Sequence, residues 1–326
     1  MRSLHELLQH CRIPSPYFAV ENHGNTVGAV VDVNDDGNDD GLVLCVIGRK
    51  SIRDLAELSK EKRLYEDTYQ SFELAVLVFS YDSASDTEHP EFIEKVMPIG
   101  VFRVLKGFAA IDLGRDMPSA YEVVSMNDNS SVRNWIICNQ QLSTFKLIDS
   151  PKKSASVKDI DGDGITDVIL YDKVFEEGSG EETFLSWYRW NGSSYVEYSS
   201  TNIVRNLNSF LYQVSNLVER KNWNRFTRYA LDNTVQTSLR DSSASNAQKF
   251  EGVFSPVRPG TRINPMEIKS VKFQEILENP FHDSVRQVTV SCKIATNDDV
   301  FFSVDVLLSQ NPFIQPQYTL VWNLAP

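Results

Sequence analysis

Two short stretches of the sequence carry oxygen-bearing side chains at the same intervals. The first runs from Asp32 to Asp40, and the second runs from Asp159 to Asp167. In both, acidic or amide residues fall at positions one, three, five and nine, glycine occupies position six, and an apolar strand pattern follows at once. Carboxylates and one backbone carbonyl can supply most of the six to eight oxygens that Ca²⁺ takes at about 2.3–2.6 Å. The chain is therefore expected to turn sharply around a hard cation at both places.

The spacing defines a ligand set for Ca²⁺, the predicted cofactor. The ligands are the side chains at positions one, three, five and nine and the backbone carbonyl at position seven, while glycine at position six permits the turn. In the first loop they are Asp32, Asn34, Asp36, Asn38 (by its carbonyl) and Asp40, and in the second they are Asp159, Asp161, Asp163, Ile165 (by its carbonyl) and Asp167. The alternative is a solvated acidic turn, and the repeated spacing argues against it.

The loops do not have the EF-hand pattern, because position twelve is Val43 in the first and Leu170 in the second, where an EF-hand needs a bidentate Glu. They resemble the loops of FG-GAP and VCBS-type repeats of β-propellers, which read D-x-D/N-x-D-G-x-x-D between two strands of one blade. The stretch Tyr188–Val196 also resembles the hairpin that closes such bacterial repeats. The resemblance covers roughly residues 14–200. It implies a bacterial protein whose calcium loops fix strands of propeller blades.

Strand patterns dominate residues 1–200, which we predict to be a mainly β, propeller-like domain of three to four blades, possibly incomplete. A third, decayed copy of the loop lies at Asp112–Val124, which lacks the third-position acid and the glycine. Propellers usually close with 4–8 blades, so closure is open. The predicted elements are a helix in residues 1–11, strands 17–20, 27–31, 42–47, 72–81, 96–105, 121–126, 132–138 and 143–148, and a helix 51–63.

Residues 201–326 have a different pattern, which predicts an α+β domain with helices packed on a curved antiparallel sheet. Apolar residues recur at helical spacing from Ile203 to Val218, and Trp223, Phe226 and Ala230 continue as a second helix. Residues 232–265 are predicted to be irregular. Alternating strands follow near 266–277, 288–294, 302–308 and 318–324. The arrangement resembles the nuclear-transport-factor-two-like (cystatin-like) fold.

Charge is distributed unevenly along the chain. Residues 1–200 hold 33 acidic and 19 basic residues, whereas residues 201–326 hold 11 and 13. No basic stripe offers a phosphate footprint, so nucleic acid is not an expected partner. No apolar run reaches the ~18 residues of a membrane-spanning helix. Cys45, Cys138 and Cys292 lie in apolar strand patterns and are expected to be buried thiols, with a disulfide left open.

The predicted calcium loops also indicate where in the cell the protein is located. Extracellular calcium modules bind at ~10⁻⁴–10⁻³ M, so the loops favour an extracytoplasmic protein, in the periplasm or at the cell surface. Met1–Arg12 has no hydrophobic signal core, and Leu8–Cys11 is a poor lipoprotein cleavage site. We therefore expect either an export signal that is missing from this chain or a lipid anchor.

No nucleophile–base pair, helical zinc motif, phosphate loop or dinucleotide fingerprint is visible, so no catalytic residues are predicted. The favoured hypothesis is a non-enzymatic, calcium-binding interaction or scaffold protein of the bacterial cell envelope, with an unidentified protein or envelope ligand as partner. The alternative is a small-molecule-binding protein or enzyme that uses a cone-shaped C-terminal pocket, and a third is an adhesin. Such a pocket would be lined by Trp223, Phe302, Tyr318 and Trp322, which we expect instead to fill the core.

Overall fold

The computed structural model describes residues 4–9, 13–33, 37–47, 72–79, 95–139, 142–176, 180–274 and 286–324. Within these residues the chain is mainly β, with several antiparallel sheets, none of which closes into a barrel. It forms two compact units, one made of Met1–Val168 and Tyr188–Val196 and the other of Ile169–Trp187 and Glu197–Pro326. The predicted domain boundary after residue 200 stays a prediction, and the helix predicted over residues 51–63 lies outside the described residues.

The first described element is the helix Leu4–Gln9, and the other described elements up to residue 202 are strands. Their bounds in chain order are β1 (Tyr17–Ala19), β2 (Glu21–Asn22), β3 (Asn25–Thr26), β4 (Gly28–Val31), β5 (Asp40–Ile47), β6 (Phe72–Phe79), β7 (Lys95–Phe102), β8 (Val104–Ile111), β9 (Ala120–Asn127), β10 (Ser130–Ile137), β11 (Ser143–Asp149), β12 (Lys153–Lys158), β13 (Asp167–Glu176), β14 (Gly180–Trp190) and β15 (Tyr195–Asn202). These strands form sheets in the orders β1-β5-β6-β7 with β4 also on β5, β11-β10-β9-β8, β12-β13-β14-β15, and β2-β3.

Helices and a further sheet make up the rest of the described chain. The helices are Ile203–Glu219, Trp223–Ala230, Asn233–Asp241 and Asn246–Glu251, and Pro265–Glu267 is a 3-10 turn. The strands are β16 (Ser255–Pro256), β17 (Ser270–Phe273), β18 (Gln287–Ala295), β19 (Asp299–Leu308) and β20 (Tyr318–Leu320), in the order β16-β19-β18-β17 with β20 also on β19. No helix within these ranges has the length and apolarity to cross a bilayer.

Strand β5 is the centre of the first unit, because it is buried on both faces. Leu42, Leu44 and Val46 join the main core, which also takes in side chains of β6, β7, β9 and β10. Val43 and Cys45 point to the opposite face, where residues of the N-terminal helix cover them. Successive side chains of a strand alternate between faces, so a strand buried on both sides is apolar throughout rather than alternating.

One strand prediction in this unit is wrong. Residues 96–105 were predicted as a single strand, but the chain changes sheets at Arg103. Strand β7 pairs with β6 as far as Phe102, whereas β8 starts at Val104 and pairs with β9. The backbone N–H of Arg103 already donates to Met126 of β9 at 3.0 Å. An apolar run has the same appearance on either side of such a crossing, which is why the pattern did not reveal it.

The second unit holds its longest helix against a sheet. The helix Ile203–Glu219 is capped by Asn202, whose side chain accepts the N–H of Arg205. At its far end Glu219 accepts the N–H of Val271 at 2.8 Å, and Ser215 donates to the Val271 carbonyl. The predicted faces of β18 and β19 are confirmed, because apolar residues pair across the two strands: Val288 with Val306, Val290 with Val304 and Cys292 with Phe302.

Residues 232–265 were predicted to be irregular, and this prediction is wrong for part of the segment. Two short helices form there, each started by its N-cap rather than by an apolar period. Asp232 accepts the N–H groups of Thr234 and Val235, and Ser245 forms a capping box with Gln248. The last strand is also shorter than predicted, since β20 ends at Leu320.

The three described cysteines are free thiols, and all three are buried. The predicted burial is therefore confirmed. Burial raises the pKa of Cys45 to about 12 from its ordinary 9.0. Burial, assisted by the charge of Asp40, raises the pKa of Cys138 to about 12. Burial also raises the pKa of Cys292 to about 12, although a backbone hydrogen bond from Phe302 opposes the shift. Thiols with such pKa values do not ionise at neutral pH and are poor nucleophiles.

We expect these thiols to be inert in the folded protein. In a Cys11→Ser chain at about pH 8, Ellman's reagent should react with no thiol until denaturant is added, and then with all three. Because each pKa is raised in the folded state, the thiols stabilise the fold fully below pH 9, and this contribution is lost as the pH rises towards about 12. A Ser238→Cys variant, at an exposed helix position, is the reactive control. Fast reaction of any of the three in the folded chain would contradict the burial.

Candidate metal centre

The second acidic loop connects β12 to β13 and turns through two glycines. Gly162 has φ of +81° and Gly164 has φ of +85°, both in the left-handed region that side chains with a Cβ rarely adopt. A Cβ added at either glycine would meet no atom within 4 Å, so it is backbone conformation rather than space that favours glycine here. The glycine that the motif places at position six is therefore needed for the turn.

Carboxylates of this loop are held by the loop's own backbone. Asp159 accepts the N–H groups of Gly162 at 2.7 Å and Gly164 at 3.0 Å. Asp161 accepts the N–H of Asp163 at 3.3 Å, and Asp163 accepts the N–H of Ile165 at 2.8 Å. These bonds fix three consecutive predicted ligands, at positions one, three and five, before any ion is considered.

Strand β13 supplies the ligand at position nine. Asp167 is its first residue, is 2% exposed, and accepts the N–H of Ile160 at 3.0 Å. A buried carboxylate needs hydrogen bonds or a cation to offset its lost hydration. The hydrogen bond joins position two of the motif to position nine, so it ties the beginning of the loop to its end.

The first loop has the same frame where the structure describes it. Asp32 accepts the N–H of Gly37 at 2.8 Å, and Asp40, which is 1% exposed, accepts the N–H of Val33 at 2.9 Å. These are the same two bonds, from position six to one and from position two to nine, that close the second loop. Gly37 also has φ of +83°. The described residues of the first loop are therefore held in the same way as their counterparts in the second.

The structure brings three of the predicted ligands of the second loop together. In the second loop Asp159, Asp161 and Asp167 each place a carboxylate oxygen within 4.8 Å of the others, an arrangement that could hold a metal ion. Oxygens spaced in this way can lie on one Ca²⁺ coordination sphere, and an all-carboxylate donor set suits a hard cation rather than Zn²⁺. In the first loop the predicted carbonyl ligand Asn38 is half-buried. The predicted ligands Asn34 and Asp36 lie outside the described residues.

Ile165, the predicted carbonyl ligand, lies against the segment that the sequence marked as a decayed loop. Ile165 and Gly114 form an isolated antiparallel bridge. Its two hydrogen bonds run from Arg115 N–H to the Gly164 carbonyl and from Thr166 N–H to the Leu113 carbonyl, so neither uses the Ile165 carbonyl. The decayed segment therefore supports the outside of the loop.

Sequence reasoning missed the most direct partner of the acidic cluster, Arg189 on β14. Its Nη2 lies 2.6 Å from Asp161 and 2.9 Å from Asp163, and its Nε lies 3.8 Å from Asp167. Burial lowers the pKa of the Arg189 guanidinium, but the hydrogen bond to Asp163 and the surrounding carboxylate charges outweigh burial and raise it. The available signal was that Arg189 is the only basic residue between Lys173 and Arg205.

Tyr195, on the following strand, closes the other side of the loop. Its hydroxyl donates to the Thr166 carbonyl at 2.7 Å, and its ring contacts Trp135 and Phe145 with centroids 5.5 and 5.1 Å away. Burial raises the pKa of the Tyr195 hydroxyl, and the charges of Asp167 and Asp163 raise it further. The loop is thus fastened to an aromatic cluster of the first unit.

No protein family model matches this chain, and neither a curated protein nor a solved structure matches it at a significant level. The likeness to FG-GAP and VCBS-type repeats, and that of the C-terminal part to nuclear-transport-factor-two-like domains, therefore rest on the residues quoted above.

We expect Gly114→Ala to disturb the second loop through its support. Gly114 has φ of +117°, and a Cβ there would lie 2.3 Å from the Gly164 carbonyl oxygen. Backbone strain at such a position costs about 1–3 kcal/mol, and the contact forces the two segments apart as well. Urea unfolding should show the loss. Gly107→Ala, whose Cβ would meet nothing within 4 Å, is the matched control, and equal stability of the two variants would contradict the support.

Proposed function

We propose that this protein is a non-enzymatic, calcium-binding interaction or scaffold protein of the bacterial cell envelope. Ca²⁺ would bind both acidic loops and hold the strands on either side of them. The single observation that carries the proposal is the shared frame of the two loops, in which the same two backbone bonds orient the carboxylates at positions one and nine. A solvated turn would have no reason to repeat that frame 127 residues later.

The role of the ion would be structural. Several carboxylates lie within a few ångströms of one another in the second loop, and they repel unless a cation offsets their charge. At a calcium concentration fourfold above the dissociation constant, one bound ion adds ~1 kcal/mol of stability by mass action. Millimolar calcium outside the cytoplasm would therefore keep the loops closed, which is why we propose an extracytoplasmic location.

The proposed architecture is propeller-like repeats followed by an α+β domain. Two four-stranded sheets that follow one another in the chain, β8–β11 and β12–β15, support the repeats. Helices and a five-stranded sheet within one unit support the second part. Loops at the ends of strands are common binding sites, since a rigid scaffold positions them, so the partner is proposed to dock beside the calcium loops.

Calorimetric titration of Ca²⁺ tests the proposal. We expect two sites per chain with dissociation constants of ~10⁻⁴–10⁻³ M, and a melting temperature that rises with Ca²⁺ but little with Mg²⁺. Asp32→Asn and Asp159→Asn, at position one of each loop, should each remove one site, and the double variant should remove both.

Asp128→Asn is the matched control, because Asp128 is an exposed acid that pairs with Arg103 away from the loops. It should bind Ca²⁺ as the unmodified chain does. An unchanged isotherm in the double Asp32→Asn, Asp159→Asn variant would show that the loops do not bind calcium.

A second candidate function is supported by a cleft of about 540 Å³ in the second unit. Its walls combine two aromatic rings with the side chains of Asn206 and Arg228. The rings, those of Phe210 and Tyr229, are stacked with their centroids 5.5 Å apart. The structure gives the Arg228 guanidinium no hydrogen bond or ion pair with another described residue. Such a site would suit a small anionic compound with a flat ring. Of the aromatic residues predicted for a pocket, Trp223, Phe302 and Tyr318 are at most 3% exposed and fill the core, though Tyr318 also borders this cleft.

Benzoate is a simple probe for this cleft, because it joins a carboxylate to a flat ring. Saturation-transfer NMR should detect benzoate at millimolar concentration, and Arg228→Gln should weaken its binding about tenfold through loss of the charge-assisted hydrogen bonds. Arg225→Gln, an exposed residue of the same helix that does not line the cleft, is the control. Absence of binding, or equal binding to both variants, would remove this candidate.

A further inference from the structure

Arg189 lies where the second acidic loop would hold a cation. Its guanidinium is within 4 Å of three of the four acids that the motif assigns as ligands. It does not belong to the loop, since it reaches the loop from β14, beyond the strand that the loop leads into. The charge that balances the cluster therefore comes from the chain itself.

The contacts are selective for particular carboxylate oxygens. Asp161 and Asp163 each use Oδ1 to accept a backbone N–H of the loop and direct Oδ2 at Arg189. Asp167 uses Oδ2 for the N–H of Ile160 and directs Oδ1 at Arg189. In all three acids the backbone takes one oxygen and the guanidinium faces the other. The backbone bonds can persist around an ion, so the oxygens facing Arg189 are the ones that an ion would need.

We propose that the Arg189 guanidinium is a built-in competitor of Ca²⁺ at the second loop, displaced when the ion binds. This rests on the proposed calcium function and adds to it a residue that sets the affinity of one site. A guanidinium holds carboxylates through hydrogen bonds of fixed geometry, whereas Ca²⁺ needs several oxygens at about 2.3–2.6 Å around one centre. The two cannot use the same oxygens at once.

Competition has two measurable consequences. Without calcium, the second loop is destabilised less than a loop without Arg189 would be, because the guanidinium offsets part of its negative charge. Calcium then binds more weakly than it would to a loop without Arg189, because binding has to break these ion pairs. A residue that only braced the ligands from outside would have the opposite effect, and its removal would weaken calcium binding.

The test uses the full chain carrying Asp32→Asn, so that only the second loop is titrated. Arg189→Gln should bind Ca²⁺ roughly tenfold more tightly than its parent by calorimetry, as expected when charge-assisted hydrogen bonds no longer have to be broken. Its melting temperature should be lower in EDTA, and its calcium-dependent rise larger. Arg189→Lys, which keeps the charge but loses the planar fork, should fall between the two.

Arg103→Gln is the control, because Arg103 pairs with an exposed acid away from the loop, and its calcium isotherm should match the parent. In the parent, the Nε–Hε NMR signal that Arg189→Gln removes should shift during calcium titration as the guanidinium leaves the carboxylates. Equal or weaker calcium binding by Arg189→Gln would falsify the competition while leaving the calcium site intact. No heat of binding in either parent or variant would instead overturn the calcium function itself.

Discussion

Asp40 and Asp167 are each the first residue of a strand, and each carries a carboxylate almost completely withdrawn from water. A charge in that position has to be satisfied locally, and both take the N–H of the residue seven positions earlier. That bond closes the loop and fixes where the next strand begins. The main core of the first unit includes Val33, directly after the first loop begins, together with Leu42 and Leu44 of β5, so strand packing there depends on how the carboxylate is held.

The backbone hydrogen bonds of a closed acidic loop leave its negative charge unneutralised. The N–H groups take up some carboxylate oxygens and leave others directed towards a common point, where negative charge accumulates. In the second loop Arg189 meets that charge, and its contacts run to β14 of the same sheet. The sheet therefore gains a link through the loop whether the cation is a guanidinium or a metal ion. What differs is the strength of that link, since a divalent ion supplies twice the charge and approaches more oxygens.

Much of this could be predicted from the sequence, and the failures have physical causes. The two acidic loops were recognised because their spaced acids are close in the chain, and β18 and β19 were recognised because their burial alternates strictly. Arg189 was missed because its approach depends on how a hairpin folds back, which spacing does not encode. The crossing at Arg103 was hidden because apolar residues do not record which sheet they join. The helices after Asp232 and Ser245 were missed because caps, rather than apolar periodicity, start them.

The two loops share a frame, yet their chemistry need not be equal. Position three is Asn34 in the first loop and Asp161 in the second, so the second has four acids at the predicted ligand positions where the first has three. An extra carboxylate strengthens calcium binding, but it also strengthens the hold of a neighbouring guanidinium, and Arg189 lies 2.6 Å from this residue. The gain in ligand charge is then partly offset by the competitor that the charge attracts. Under our proposals the calcium affinity of the second loop depends on the difference between the attraction of its carboxylates for Ca²⁺ and their attraction for Arg189. The number of acids in each motif therefore does not rank the two sites by calcium affinity.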